Sequence, residues 1–279
     1  RCMNELVVTR GADQRLVGTL CMPTDVAPRS IAFVMLNAGV VSRIGPHRFN
    51  VKLARHLATL GFSSVRFDLS GQGDSAHPST LVAASQEEQV MLDLRDALDH
   101  ITQTTGIERF VIAGICSGAV AAYFYAQNDD RVIGTWMLDG YTFHTWQSHC
   151  IRYAGKIRRL LTRDWGSTVD KIKALLAPAS QQAADAVDYG STRQPSKTAY
   201  ITAMQNMADR GMRSFMMFSS DIHWYYNYQH QFHDAFKGQG FASHVTTEYL
   251  PAIDHTLTQL KDQTYVIERI GTWACTLAN

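Results

Sequence analysis

The sequence that decides the fold is FVIAGICSGAVAAY at residues 110–123. Its apolar start, residues 110–113, predicts a buried strand, and the alanine-rich run after Gly118 predicts a helix. Gly114 and Gly118 flank a turn that is too tight for a side chain on either side. A strand, a sharp turn and a helix in this order form a nucleophile elbow, which presents its middle residue outward. The sequence therefore predicts Cys116 as a nucleophile, although most such elbows carry serine.

Outward from the elbow, strands and helices alternate along the chain. Two alternating stretches, 5–10 and 16–23, predict an antiparallel hairpin. Further strands are predicted at 31–36, 63–68, 109–115, 132–139, 214–218 and 245–250, and helices at 47–60, 86–104, 117–127 and 256–277. This rhythm is typical of an α/β fold with a doubly wound, mostly parallel sheet. Helical stretches without a strand signal predict a helical lid at 144–211, inserted into a core domain of residues 1–143 and 212–279.

The composition is that of a compact globular protein, with 46% apolar residues, 18% charged residues and a net charge of +1. That charge gives no reason to expect binding to nucleic acid or to an anionic membrane surface. No run of 18 apolar residues predicts a membrane span. Five scattered cysteines favour a reducing, cytoplasmic setting over a disulfide framework or a zinc site. No metal or nucleotide signature is present, so no cofactor is expected.

Four stretches, in the same order, resemble the α/β-hydrolase family, and most of all its serine-aminopeptidase-like and exosortase-associated branch. One is the elbow. The others are LNAG at 36–39, where the family has a His-Gly oxyanion loop, RFDLSGQGDS at 66–75, close to the family's Arg-x-Asp-x-x-Gly-x-Gly-x-Ser, and LPAIDH at 250–255, where the family places its histidine. The resemblance covers nearly the whole chain except the lid. It implies the α/β-hydrolase fold and an acyl-transfer activity.

The resemblance also implies a catalytic triad in the chain order nucleophile, acid, histidine. Cys116 is the nucleophile and His255 the base. Asp221, which follows the first strand after the lid, is the predicted acid, and Asp139, which follows an earlier strand, is the alternative. These side chains can meet because all of them follow the carboxyl ends of parallel strands. Asp254 neighbours the histidine but is expected to point the other way.

The backbone around the elbow is expected to bind the oxyanion of the intermediate. Ser117 is a poor second choice as nucleophile because it lies one place too late, but its N–H suits one oxyanion donor. The second donor is expected to be the N–H of Gly39 or Val40. His223 is expected to lie in the pocket wall or at the surface rather than to act as a base.

Substrate contacts are expected from four further residues, which are Asn37, Trp146, Trp224 and Tyr225. The lid also carries a basic cluster, formed by Arg152, Lys156, Arg158, Arg159 and Arg163. Such a cluster is either a solvated helix face or a dock for the phosphate of coenzyme A or of a carrier protein. The aromatic residues equally fit ordinary packing of the lid.

A thiol at a helix N-terminus beside a histidine attacks thioesters well. Cysteine elbows are known in dienelactone hydrolases and bile-acid acyltransferases, to which this elbow is similar. Ala119 stands where the dienelactone pattern has another glycine, so lactone specificity is not carried over. The sequence favours a thioesterase or acyltransferase acting on a small-molecule acyl substrate. A carboxylesterase or lactone hydrolase is the alternative, a non-catalytic binding protein is the third hypothesis, and a homodimer stays open.

Overall fold

A computed structural model describes residues 3–10, 15–77, 85–162 and 194–278. In these segments one sheet contains the strands β1 (Met3–Arg10), β2 (Leu16–Pro23), β3 (Ile31–Met35), β4 (Ser63–Phe67), β5 (Arg109–Ile115), β6 (Val132–Leu138), β7 (Arg213–Ser219) and β8 (Val245–Leu250). Their order across the sheet is β1-β2-β4-β3-β5-β6-β7-β8. β2 pairs antiparallel with β1 and β4, and all other pairs are parallel. The predicted hairpin and mostly parallel sheet are confirmed.

The same segments contain the helices α1 (Phe49–Thr59), α2 (Gln86–Thr105), α3 (Ser117–Ala126), α4 (Trp146–Thr162), α5 (Lys197–Asp209), α6 (Gln231–Ala235) and α7 (Leu260–Leu277). The bounds of α2 follow from its local chemistry. The Ser85 hydroxyl accepts the N–H of Glu88 at 3.1 Å at the start, and Gly106 ends the helix with a φ of 74°. The short helix α6 was not predicted, because five residues give too little periodicity.

The core lies on both faces of the sheet, which explains why every residue of β3 is buried. Along β5, Val111 packs towards α1 and α7 on one face, and Ile112 packs towards α2, α3 and α5 on the other. On the first face the ring of Phe49 stacks on that of Trp136 at a centroid distance of 5.7 Å. Each fully buried side chain of this kind contributes about 1.5–3 kcal/mol to folding.

The predicted lid range 144–211 includes α5, which packs into the core. The buried ring of Tyr200 stacks on Tyr123 at 5.2 Å and on Phe236 at 5.3 Å. Helix α4 occupies the other end of the range. Residues 163–193 lie outside the described residues, so the inserted lid stays a prediction.

The carboxyl ends of the parallel strands bring together the loops that hold the predicted site. The N–H of Cys116 donates to the carbonyl of Leu138 at 2.9 Å, and the N–H of Asp139 donates to the carbonyl of Met217 at 2.9 Å. These hydrogen bonds extend the pairing by one residue beyond the end of β5 and by one residue beyond the end of β6. The loops after the three strands therefore begin side by side at one edge of the sheet.

Candidate active site

Cys116 lies at the tip of the elbow between β5 and α3, in a strained backbone conformation. Its φ is 57° and its ψ is −117°, which a residue with a side chain rarely adopts. The chain can turn so sharply because neither glycine has a side chain. Gly114 and Gly118 lie against each other, and a Cβ on Gly118 would come within 2.6 Å of the carbonyl of Asn37. The thiol is thus fixed at the N-terminus of α3, where a negative charge is favoured.

His255 and Asp139 form the central contact of the site. Nδ1 of His255 lies 2.5 Å from Oδ2 of Asp139, whose side chain is 1% exposed. The carboxylate also accepts hydrogen bonds from Ser219, at 2.7 Å from the backbone N–H and at 2.6 Å from the hydroxyl. Asp139 adopts a φ of 56°, and this left-handed turn follows directly after β6. These contacts fix the plane of the imidazole and place its proton on Nδ1.

Asp221 does not bind the imidazole, and this corrects the predicted pairing. Its Oδ2 accepts the backbone N–H of His255 at 2.9 Å instead. The physical reason is the position of Ser219, which holds the Asp139 carboxylate beside Nδ1 of the ring, whereas Asp221 is exposed. The structure therefore favours the sequence alternative, Asp139. Asp254 points away, as expected, and its carboxylate accepts hydrogen bonds within its own turn, from Thr256 and Thr258.

The electrostatics of His255 favour its charged form. Hydrogen bonds to Asp139 first and to Cys116 second raise the pKa of His255 from 6.5 to about 10. Burial opposes this rise, but the two partners outweigh it. An imidazole between a carboxylate and a thiol can accept the thiol's proton and later return a proton to a leaving group.

The three residues expected to donate to the oxyanion, Gly39, Val40 and Ser117, have different surroundings. The N–H of Gly39 donates to the hydroxyl of Ser117 at 2.9 Å, so in this structure it is already paired. Val40 is 79% exposed on the same loop. Ser117 is the first residue of α3, where a backbone N–H has no partner within the helix. Ser117 and Val40 are therefore the better candidates for the two donors.

Asn37 was expected to contact the substrate, but the contacts of its side chain in this structure lie inside the protein. The side chain is 1% exposed. Its Nδ2 donates to the carbonyl of Val41 at 2.9 Å and to Oδ1 of Asp68 at 3.1 Å, and its Oδ1 accepts the N–H of Leu69 at 3.0 Å. Both amide hydrogens are thus used inside the protein. Asn37 therefore supports the loop after β3, and its contact with substrate stays a prediction.

The other expected substrate residues lie at the surface near the loops of the site. Trp146 begins α4 and is 84% exposed, whereas Tyr225 is half-exposed and its ring lies 6.1 Å from that of His144. Trp224 is half-buried, and its ring lies 4.8 Å from that of His223. His223 is exposed, and its Nδ1 contacts the carbonyl of Ser220 at 3.0 Å, as expected for a surface residue. Contacts of Trp146, Trp224 and Tyr225 with substrate stay predictions.

Ser219 is the residue of the site that sequence reasoning missed. Its side chain is fully buried and donates to Asp139. The only signal in the sequence was its place at the end of an apolar strand, two positions before the predicted acid Asp221. A buried serine in that position has to find a hydrogen-bond partner, and here the partner is the carboxylate that binds the histidine.

In the part of the chain that the structure describes, no three histidine, cysteine, aspartate or glutamate side chains form a group that could bind a metal ion. Four cysteines of this part are unpaired thiols, namely Cys21, Cys116, Cys150 and Cys275. None of the described helices has the length and apolar character needed to cross a bilayer.

Comparison with known proteins gives the family and the fold. The sequence profile of the α/β-hydrolase fold family matches residues 33–181. No curated protein sequence matches the chain. Among solved structures, an esterase of Pyrococcus furiosus is similar, with a TM-score of 0.60 and 11% identity over 99% of this chain and 91% of that one.

Two further solved structures have the same architecture. A dienelactone hydrolase of Anabaena variabilis has a TM-score of 0.57 and 12% identity, covering 100% of both chains. A proline iminopeptidase of Mycobacterium smegmatis has a TM-score of 0.54 and 14% identity, covering 99% of both. At these identities the likeness shows the fold alone. The fold predicted from the elbow is confirmed.

Proposed function

The chain belongs to the α/β-hydrolase family, and from that premise we propose that it is a thioesterase or acyltransferase that forms an acyl-cysteine on Cys116. The observation that carries this proposal is the imidazole of His255, whose Nδ1 is hydrogen-bonded to Asp139 and whose pKa is raised by both Asp139 and Cys116. A cysteine beside a histidine whose other nitrogen is paired with a buried carboxylate supplies the parts of a nucleophilic triad.

In the proposed reaction, the thiol of Cys116 transfers its proton to Nε2 of His255, and the sulfur attacks the carbonyl carbon of an acyl thioester. The new C–S bond places a negative charge on the carbonyl oxygen, which accepts the N–H groups of Ser117 and Val40. Collapse of this intermediate breaks the bond to the leaving thiolate, and His255 returns the proton to it. Asp139 stabilises the imidazolium throughout, because its carboxylate accepts the hydrogen bond from Nδ1.

In the second half, the acyl group leaves the cysteine. His255 accepts a proton from water, an alcohol, an amine or a thiol, and the activated acceptor attacks the acyl-cysteine. The thiolate of Cys116 is released and is again paired with the imidazolium. With water as acceptor the protein is a thioesterase, and with another acceptor it is an acyltransferase.

Coenzyme A or a carrier protein is the acyl donor that fits the basic cluster of the predicted lid. Of the residues in this cluster, Arg152 lies in the described part of the chain, where its Nη2 contacts Nδ1 of His149 at 3.2 Å. The side chains of Lys156, Arg158, Arg159 and Arg163 lie outside the described residues. The donor, the cytoplasmic setting and a homodimer stay predictions.

A carboxylesterase or lactone hydrolase is the second candidate. It is favoured by the raised pKa of His255, about 10, because an imidazolium is the acid that an alkoxide leaving group requires. Two similar structures are also named as an esterase and a dienelactone hydrolase. Thioesters and oxygen esters with the same acyl group separate the candidates. A preference for oxygen esters by tenfold or more in kcat/KM, about 1.4 kcal/mol, would favour the esterase.

The experiment that tests the proposal is intact-mass spectrometry after brief mixing with a panel of acyl thioesters. We expect an acyl adduct on the wild type and none on Cys116→Ala. Cys116→Ser is the matched control, since it replaces the sulfur nucleophile by an oxygen nucleophile at the same elbow. Cys21 is an internal reference, because burial raises the pKa of its thiol to about 11 and should leave it unmodified.

Two results would contradict the proposal. An adduct of equal size on Cys116→Ala would place the acyl group elsewhere. A wild type that forms no adduct and no product with either ester class would favour the third hypothesis, a binding protein without turnover. In that case iodoacetamide should also label Cys116 no faster than the exposed Cys150.

A further inference from the structure

The motif RFDLSGQGDS at residues 66–75 contains a buried carboxylate that the proposed reaction does not use. Asp68 follows β4 and is fully buried. Its Oδ1 accepts Nδ2 of Asn37 at 3.1 Å and the backbone N–H of Arg43 at 2.5 Å. Its Oδ2 accepts Nη1 of Arg43 at 2.5 Å and the N–H of Asp74 at 3.2 Å. Four donors therefore converge on one carboxylate, as a buried charge requires.

Three of these four donors come from Asn37 and Arg43, the two residues that flank the loop with the expected oxyanion donor. Asn37 and Arg43 stand at the two ends of residues 38–42, so that Asp68 ties the ends of this loop together. Within the loop, the N–H of Val41 donates to the carbonyl of Ala38 at 3.0 Å, and the Asn37 amide donates to the carbonyl of Val41. At the tip of this loop, the N–H of Gly39 donates to the hydroxyl of Ser117.

The second glycine of the motif explains how the carboxylate is enclosed. Gly73 has a φ of 50°, and a Cβ at this position would lie 2.6 Å from Oδ1 of Asp68. Glycine therefore lets the chain close over the carboxylate and bring the N–H of Asp74 to it. The motif is built around Asp68.

We propose that Asp68 is a positioning residue for acyl transfer, which holds the loop of residues 38–41 so that the N–H of Val40 faces the oxyanion. This inference rests on the proposed function, because the loop matters only if an oxyanion forms at Cys116. Asp68 touches no reacting atom. It acts through Asn37 and Arg43.

Small movements of this loop should affect the rate strongly. An oxyanion donor works only within about 2.7–3.1 Å of the developing charge, and losing one lowers kcat by roughly 10²–10³-fold. Removing the charge of Asp68 leaves the guanidinium of Arg43 without its buried partner and frees one end of the loop. Because the donor acts mainly on the intermediate, kcat should fall while KM changes little.

The chain offers a matched control in Asp93. This carboxylate is also fully buried and also accepts four hydrogen bonds, from Nη2 of Arg15 at 3.1 Å, from the N–H and the hydroxyl of Ser70 at 2.7 and 2.8 Å, and from Nε2 of Gln89 at 2.8 Å. It anchors the same motif through Ser70 but has none of the loop contacts of Asp68. Asp93→Asn therefore reproduces the loss of a buried charge without freeing the loop of residues 38–41.

The experiment compares Asp68→Asn, Asp93→Asn and the wild type in two reactions of Cys116. Acylation by a thioester forms an oxyanion, whereas alkylation by iodoacetamide does not. We expect Asp68→Asn to lower the acylation rate roughly 10²-fold and to leave alkylation within threefold. Asp93→Asn should change neither rate by more than about threefold at a temperature where both variants are folded.

Equal losses of acylation in the two variants, or a parallel loss of alkylation in Asp68→Asn, would overturn the positioning role. If Asp68→Asn does not fold, Arg43→Gln replaces it, since this change removes the guanidinium but keeps the backbone N–H. A normal acylation rate in Arg43→Gln would likewise overturn the role. If the wild type forms no acyl-cysteine, the proposed function is refuted together with the positioning role. If the wild type forms the acyl-cysteine, the variants test the positioning role alone.

Discussion

Replacing Asp139 by asparagine tests how the imidazole of the site is held. Oδ1 of Asp139 accepts the N–H of Ser219 at 2.7 Å, so this atom has to remain an oxygen, and the new NH₂ takes the place of Oδ2. It then faces Nδ1 of His255, which has to accept a hydrogen bond and move its own proton to Nε2. An Nε2–H group cannot take the proton of the Cys116 thiol.

The size of the loss follows from the ionisation of a thiol without a basic partner. Free cysteine ionises near pH 8.5 and is about 3% thiolate at pH 7, so losing the basic partner should lower thioester turnover by up to about 30-fold. An oxygen ester also needs a proton on its leaving group, and losing the general acid costs roughly a further 10²-fold or more. Oxygen-ester kcat/KM should therefore fall by about 3,000-fold, or roughly 5 kcal/mol.

The assay follows kcat/KM for a thioester and an oxygen ester of the same acid between pH 6.5 and 8. The residual thioester activity of Asp139→Asn should rise about tenfold per pH unit, as the thiolate fraction does. Asp221→Asn is the control, because an asparagine oxygen can still accept the N–H of His255, and it should cost less than about threefold. A larger loss in Asp221→Asn than in Asp139→Asn would refute the assignment of the acid.

Three further results are expected. The raised pKa of His255 means that the folded protein keeps a proton that the unfolded chain loses. The contribution of this group to stability is therefore complete below pH 6.5 and is lost as the pH rises to about 10. Urea unfolding should show this decline in stability, and Asp139→Asn should make the decline smaller. Ser219→Ala removes a hydrogen bond to a buried carboxylate and should lower the free energy of unfolding by about 1.5–3 kcal/mol, measured by urea titration; an unchanged value would contradict the role given to Ser219. Gly73→Ala should destabilise the fold, because the new Cβ would meet the carboxylate of Asp68, and each kcal/mol of unfolding free energy lost should lower the melting temperature by roughly 2–4 °C. An unchanged melting temperature would contradict the close approach of Gly73 to Asp68.

The sequence was sufficient for the parts of the site that depend on strand ends. Cys116 and His255 could be located because each follows a strand whose apolar run is clear, and β5 and β8 have the predicted bounds of 109–115 and 245–250. Side chains at the carboxyl ends of parallel strands share one edge, so their meeting follows from topology alone.

The choice between Asp139 and Asp221 could not be made in the same way. The two carboxylates follow neighbouring strands, β6 and β7, and both reach the same histidine, one at its ring and one at its backbone. The deciding features are the left-handed φ of Asp139 and the hydroxyl of Ser219. Neither a dihedral angle nor the direction of a buried hydroxyl is encoded in residue spacing.

The internal contacts of Asn37 could not be predicted for a related reason. A polar residue at the end of a strand commonly faces the site, and the sequence offered no sign of a competing partner. That partner is Asp68, which lies 31 positions later in the sequence and becomes a neighbour only through the pairing of β3 with β4. Long-range contacts of this kind decide which polar residues at the sheet edge remain available to a substrate.

The contact between His255 and Asp139 joins positions that are 116 residues apart, and it forms only when β6, β7 and β8 lie side by side. Contacts across such distances are completed late in folding, after the costly closure of long loops. A nascent or partly unfolded chain therefore carries only ordinary thiols. The fraction of molecules whose Cys116 is labelled rapidly should serve as a direct count of fully folded protein in any preparation.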